Sequence, residues 1–247
     1  MLLEILPTRT AGAAENMATD FLLLQRYPQA NAPRFRHYGW HRPAFTFGYS
    51  QKFSFVQTQL PSFAKASEGT PAGGHFELCR RATGGGVVDH RDDWTFALVI
   101  SRGHPLEELR ATQSYREVHE ALAVSLRAQG VPAVTKQLRE PDAGKAGPAG
   151  VCFQQAEVFD VVHERSGEKI AGAAQKRNKH GLLFQGSIWR PAAGAGVDWG
   201  RFHADFTGQL AHVLTATAVP TPWPEFNEDE LGALVEQYAS PEWNSSR

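Results

Sequence analysis

Three consecutive glycines, Gly84 to Gly86, lie inside the run RRATGGGVVDH (Arg80 to His90), and they restrict the architecture more than any other stretch. With no Cβ atoms the backbone there can turn through positive φ without steric cost, and a ligand can lie directly on its N–H groups. Phe76 to Arg81 reads as a strand leading into the turn, and DWTFALVIS (Asp93 to Ser101) as a nearly continuous apolar strand leading out of it. The glycines are therefore expected at a sheet edge, cradling something narrow. Taken alone, a triple glycine is ordinarily a flexible turn. The flanks sharpen the reading: Arg80, Arg81 and His90, with Thr83 and the bare backbone of Gly84, Gly85 and Gly86, supply donors suited to a carboxylate or phosphate. The plainer alternative pairs the arginines with Glu77 or Asp89. Neither GK[ST] nor GxGxxG with a following helix is present, which argues against a nucleotide loop.

The 247 residues, 42% of them hydrophobic, suffice for one packed domain over 1–247. Lys plus Arg number 25 against 26 Asp plus Glu; so balanced a chain has no global field for nucleic acid or an anionic membrane, and a charged partner must meet a local patch. MLLEILPTR is too short for a signal-peptide core and nothing later approaches a membrane span, so the cytoplasm is the expected location. Two cysteines, Cys79 and Cys152, make no disulfide framework and no CxxC site.

Ala14, Met17, Ala18, Phe21 and Leu24 recur at helical spacing, with Pro28 beyond. RFRHYGWHRPAFTFGYSQ (Arg34 to Gln51) predicts two short strands around a turn. Pro61 to His75, small and polar without period, reads as a mobile insert. Ser114 with Glu117 forms a capping box for a second helix whose Tyr115, Val118, Leu122 and Leu126 share a face and which stops near Gly130. Segments near Val158–His163, Lys169–Lys176 and Leu182–Trp189 predict a β-meander. Asn227 followed by Glu230 opens a last helix.

Cys152 ends a Gly/Pro/Ala loop (Arg139 to Gly150), where a thiol meets solvent and a nearby cation favours the thiolate nucleophile; the ordinary free cysteine is instead a small buried hydrophobe, and Cys79, within a strand, fits that description. Lys169 opens a strand followed by Ala171, Gly172, Ala173 and Ala174, side chains so small that they leave a slot for a thin apolar ligand. His37 and His41 have an HxxxH spacing, but Gly39 and Pro43 oppose the helix a zinc pair requires, and no metal is expected.

NMATD (Asn16 to Asp20), RFRHYGW, FTFGYSQ (Phe45 to Gln51), RRATGGGVVDH, SYREVHEAL (Ser114 to Leu122), KIAGAAQKR (Lys169 to Arg177) and GLLFQGSI (Gly181 to Ile188) together resemble the lipoate ligase and octanoyltransferase family over most of the chain. The resemblance implies an α/β fold of the biotin and lipoate ligase type, a large mixed, mainly antiparallel sheet flanked by helices. It also implies attachment of an eight-carbon acyl chain to a lysine of a lipoyl domain. Arg80, Arg81, Thr83 to Gly86, His90, Gly172, Ala173, Ala174 and Gln175 would bind that chain.

One branch of the family uses ATP to form an acyl-adenylate, with Mg2+; another transfers octanoyl from acyl carrier protein through a cysteine thioester and needs no cofactor. The Cys152-Phe153 pair ahead of KIAGAAQ, and a chain without the extra C-terminal domain of many ligases, favour transfer. Under it Cys152 attacks the thioester, and Lys169 steadies the thiolate and oxyanion; if burial lowers its pKa, Lys169 also takes the proton of the incoming amine. The acceptor would be a lipoyl domain or the glycine cleavage H protein. ATP-dependent ligation, with Cys152 incidental, is the alternative, and a non-catalytic lipoyl-carrier binder the third reading. Cys152 lies some twelve residues further than Lys169 from the turn at Gly167, on the order of 40 Å if extended, so its loop must fold back. Lys176, Arg177 and Lys179, with His180, crowd a hairpin tip that either docks an acidic carrier or is a solvated turn.

Overall fold

The computed structural model describes residues 1–26, 32–65, 76–138 and 156–246. In chain order its elements are β1 (Leu2–Ala11), α1 (Ala13–Arg26), β2 (Arg34–Trp40), β3 (Ala44–Phe47), α2 (Phe53–Lys65), β4 (Glu77–Arg80), β5 (Val88–Asp89), β6 (Asp93–Ser101), α3 (Pro105–Glu108), α4 (Ala111–Ala128), β7 (Ala133–Thr135), β8 (Val161–His163), β9 (Lys169–Asn178), β10 (Gly181–Trp189), α5 (Arg190–Ala193), α6 (Trp199–Val213), β11 (Thr217–Pro220), α7 (Glu228–Ala239) and α8 (Pro241–Asn244).

Among the described residues eight strands form one sheet in the order β11-β1-β2-β6-β10-β9-β8-β7, and β4-β3-β5 form a small second sheet. β1 lies parallel to β2 and β11, because α1 carries the chain back before β2 begins. From β2 through β6, β10, β9 and β8 to β7 every pairing is antiparallel. This is the expected mixed, mainly antiparallel sheet, and β8, β9 and β10 are the expected meander.

Register and alternation decide where the site can lie. Tyr38 stands opposite Thr95, Thr95 opposite Ser187, and Ser187 opposite Gly172; in a neighbouring row Arg36, Ala97, Gln185 and Ala174 align. Side chains alternate along a strand, so these eight share one face, which meets α1. The other face carries Phe35, Trp94, Phe96, Phe184 and Ile188, packed on Val118 and Leu122 of α4 and on Phe202 and Phe206 of α6. The Phe206 ring lies edge-on to Phe35 and Phe96 at 5.7 and 5.2 Å, and burying such a ring stabilises by about 2–3 kcal/mol. Cover on both faces is why β6 is buried along its whole length and reads as a continuous apolar run.

Several local expectations are corrected. β2 and β3 are both strands, but they belong to different sheets. α4 begins a turn before the Ser114/Glu117 box, at Ala111, where the Gln113 side chain accepts from the Arg110 N–H; Ser114 is buried within the helix and its hydroxyl donates to the Ala111 carbonyl. Part of the supposed insert, residues 61–65, belongs to α2, and residues 66–75 lie outside the described ones. The glycine run lies at a sheet edge as expected, but it joins β4 and β5, the outer strands of the small sheet, and β5 intervenes before β6. β1 and α6 were not anticipated. No helix among the described residues is long and apolar enough to cross a membrane.

Candidate active site

Between the α1-side face of the large sheet and the glycine run lies a cleft with about 480 Å³ of unfilled space, its mouth included. Gly172, Ala173 and Ala174 of β9 line it, Gly186 and Ser187 continue it across β10, and Arg81, Gly85 and His90 belong to its opposite wall. The small-residue strand and the glycine run, separated by about eighty residues, thus face one space.

The run is shaped from within. Gly85 has φ 86°, open to glycine at no steric cost. Arg81 donates through Nη2 to the carbonyls of Gly84 (2.8 Å) and Gly86 (2.9 Å), and through Nη1 to Thr46 Oγ1 (2.7 Å). Thr83 Oγ1 donates to Gln185 Oε1 (2.7 Å), and Gln185 Nε2 donates to Asp20 Oδ2 (2.7 Å). Asp20 also accepts from Arg36 Nε (2.7 Å) and the Tyr38 hydroxyl (3.1 Å). Burial pushes the Asp20 carboxyl above the usual range while Arg36 pulls it down. This network ties the turn to the sheet and to α1.

Arg80 departs from the expected anion clamp. Fully buried, it donates to the carbonyls of Tyr49 (2.7 Å), Gln51 (2.9 Å), Trp243 (3.1 Å) and Asn244 (2.8 Å), and its backbone N–H donates to Asn244 Oδ1 (2.7 Å). Successive strand residues point to opposite sides; Arg81 takes the cleft side, and Arg80 pins α8 to β4. Neither arginine pairs with Glu77 or Asp89 in these bonds; Glu77 accepts from the Ala13 N–H and Asp89 from Arg91. His90 does line the cleft, with Nδ1 2.7 Å from Asp93 Oδ2 and Nε2 2.7 Å from Thr46 Oγ1. Asp93 further accepts from Ser187 Oγ (2.5 Å) and Thr95 Oγ1 (2.9 Å). His90, Asp93, Thr46, Thr95 and Ser187 on that side of the cleft are thus hydrogen-bonded to one another, and the Arg81 guanidinium is held by neutral oxygens.

Lys169 lines the cleft as well. It is 8% exposed, and its ammonium lies 2.7 Å from Asp160 Oδ2. Asp160, immediately before β8, also accepts from the Tyr115 hydroxyl (2.5 Å) and the Glu157 N–H (2.7 Å). The ammonium rests over Gly172, where an added Cβ would come within 2.8 Å of it.

The remaining expected residues separate. Gln175 turns to the other side of β9, where its Nε2 donates to the Ala111 carbonyl (3.1 Å). Arg177 is held against α3 and α4, donating to the Glu107 carbonyl and to Ser114 Oγ (2.7 Å). Lys176 lies over the Tyr49 ring at 5.5 Å, and Lys179 is exposed. Cys152 lies outside the described residues, as does the loop expected to carry it. Cys79 is buried, and burial pushes its thiol up to about 12, which opposes the thiolate a nucleophile needs.

A mainly antiparallel sheet carries, on one face, a slot of small residues that a buried lysine and a glycine run border. The chain belongs to the lipoyl protein ligase A/B catalytic domain family, whose model residues 12–190 match. Among its relatives, octanoyltransferase LipM of Geobacillus kaustophilus is 32% identical over 179 residues, covering 71% of this chain and 60% of that protein. Octanoyltransferase LipM of Symbiobacterium thermophilum is 27% identical over 283 residues, covering 98% and 97%. The match thus spans about three fifths of the first relative's length. In fold, the chain is similar to lipoate-protein ligase A bound with ATP (TM-score 0.72, 18% identity, 99% and 98% covered). It is equally similar to the bipartite lipoate protein ligase of Thermoplasma acidophilum (TM-score 0.71, 20% identity, 99% and 96% covered).

Proposed function

We propose that the protein transfers an octanoyl chain from octanoyl-acyl carrier protein to a lysine of a lipoyl-carrier domain through a thioester on Cys152. The observation that carries this reading is the slot of small residues ending at Lys169. The row Gly172, Ser187, Thr95, Tyr38 crosses four strands, about 14 Å, and an extended octanoyl chain is roughly 9 Å long by its bond lengths. Its carbonyl would sit at the Lys169 end, where an ammonium stabilises the developing oxyanion.

In the first step the Cys152 thiolate attacks the donor thioester carbonyl, and the carrier's thiolate leaves. In the second the acceptor lysine's amine attacks the acyl-cysteine, the C–S bond breaks, and the amine's proton passes to the departing Cys152 sulfur as the amide forms. The thioester supplies the driving force. Lys176 and Lys179 would meet an acidic carrier surface, and Arg177 braces their strand.

In ATP-dependent ligation Mg2+ would ride mainly on the nucleotide's phosphates, with one or two protein carboxylates and waters completing its shell. Among the described residues no three His, Cys, Asp or Glu side chains converge to hold a metal. The buried carboxylates flanking the cleft, Asp160 and Asp93, are each already engaged by three donors. Either carboxylate could join such an ion only by giving up one of these donors, and the proposed transfer itself requires no such ion.

Incubation with octanoyl-acyl carrier protein, without ATP, should add one octanoyl mass to the protein, and the adduct should vanish in Cys152→Ala. Modification of a lipoyl domain by Cys152→Ala, dependent on ATP and free octanoate, would establish the ligase instead. Carrier binding with neither chemistry would leave a binding protein.

A further inference from the structure

We propose that Tyr115 is a positioning residue for Lys169, its hydroxyl locking the Asp160 carboxylate in the orientation that holds the ammonium at the end of the cleft. This rests on the reading of Lys169 as the cation at the acyl carbonyl.

The geometry begins with an unpaired strand side. β8 accompanies β9 only from Lys169 to Ala171, so beyond Ala171 the backbone of β9 needs other partners. α4 supplies one of them, the Tyr115 hydroxyl accepting from the Ala173 N–H (3.0 Å), while the side chains of Gln175 and Arg177 donate to the Ala111 carbonyl and to Ser114 Oγ of the same helix. A phenol has one proton to donate, and Tyr115 directs it to Asp160 Oδ1 (2.5 Å). That leaves Asp160 Oδ2 facing Lys169 Nζ (2.7 Å) and the Glu157 N–H (2.7 Å). One hydroxyl therefore links the slot's backbone to the carboxylate that holds the lysine.

Two further observations point to this constellation. Phe159, immediately before Asp160, has φ 70°, a strained conformation for a non-glycine residue that clusters at functional sites. Beside Tyr115, His119 stacks on its ring at 3.9 Å with Nδ1 2.9 Å from the Tyr115 carbonyl. Burial holds this imidazole neutral, its pKa lowered to about 4, so it supports the phenol without adding a positive charge near Lys169.

Tyr115→Phe keeps the ring stack and deletes the hydroxyl. In octanoyl transfer we expect kcat to fall at least tenfold with KM for the acyl carrier within threefold, the pH–rate profile to move by more than half a unit, and the melting temperature to change by only a few degrees. In substrate-free protein, amine-selective labelling read by mass spectrometry should change at least threefold at Lys169 relative to the exposed Lys179, and Asp160→Asn should change it too. Unchanged labelling in Tyr115→Phe, with Asp160→Asn altering it, would overturn the proposal, as would a loss of activity that follows only a rise in KM or the loss of folded protein. Because labelling needs no substrate, it decides the role of Tyr115 even if the wild type transfers no octanoyl chain.

Discussion

An added methyl group at Gly172 would lie 2.8 Å from both Lys169 Nζ and Asp160 Oδ1, a separation at which something must move. The lysine is the flexible partner, so Gly172→Ala should fold with a melting temperature within a few degrees of wild type while displacing the ammonium. A misplacement of about 1 Å can cost a hundredfold in rate; the expected result is a 10- to 100-fold lower kcat, and undiminished turnover would dissociate Lys169 from the chemistry. At this scale much was legible. The small residues of KIAGAAQ announced a slot, and Lys169 at its start announced a cation. The division of labour between Arg80 and Arg81 was not, because two adjacent arginines look alike until strand alternation sends one to the cleft and the other to α8. Asp160 and Tyr115 were also silent: a lone carboxylate and a helix-face tyrosine, 45 residues apart, carry no local signal of their meeting.

The β9–β10 hairpin carries the slot at one end and Lys176 and Lys179 near the other. Reversing both to Glu should raise KM for the carrier protein several-fold and weaken its dependence on salt, since steering by a local patch is screened over about 10 Å at 0.1 M; unchanged kinetics at low salt would show a solvated turn only. Among the elements, those with a single strong period were readable: α1, α4, α7, β6 and the meander. α6 was overlooked although its signals were present, with Asp198 accepting from the Gly200 and Arg201 N–H groups at the N-cap and Phe202, Phe206 and Leu210 on one buried face. β1 was obscured by Pro7, which cannot donate to a ladder; the pairing with β2 indeed shifts register between Leu6 and Arg9. The first turn of α4 was misassigned because Ser114 and Glu117 satisfy the capping pattern while Ser114 is actually a buried brace for β9.

For the whole molecule, the two-sided core sets a pH limit. His119 lies within it with its pKa lowered to about 4 from an ordinary 6.5 by burial, so between those values the unfolded chain binds the extra proton and stability rises with pH. At pH 5 this one group should cost about 2 kcal/mol relative to pH 7. His37, also lowered to about 4 by burial, acts in the same direction. Urea midpoints should therefore fall from pH 7 to pH 5, and His119→Phe should flatten the fall; an unaltered slope in that variant would contradict the assignment. Short-range chemistry encodes a good part of this protein in its chain: alternation that makes a two-faced sheet, a glycine run that turns, a strand of small side chains, and with these motifs the family. How Lys169 is held, which arginine faces the cleft, and how Thr46, His90 and Asp93 close one wall of it follow from the packed fold alone. Those arrangements depend on residues brought together across as many as 164 positions, as in the bond from Arg80 to Asn244. Contacts of that kind arise from packing whole elements against one another, and no local period or propensity records them.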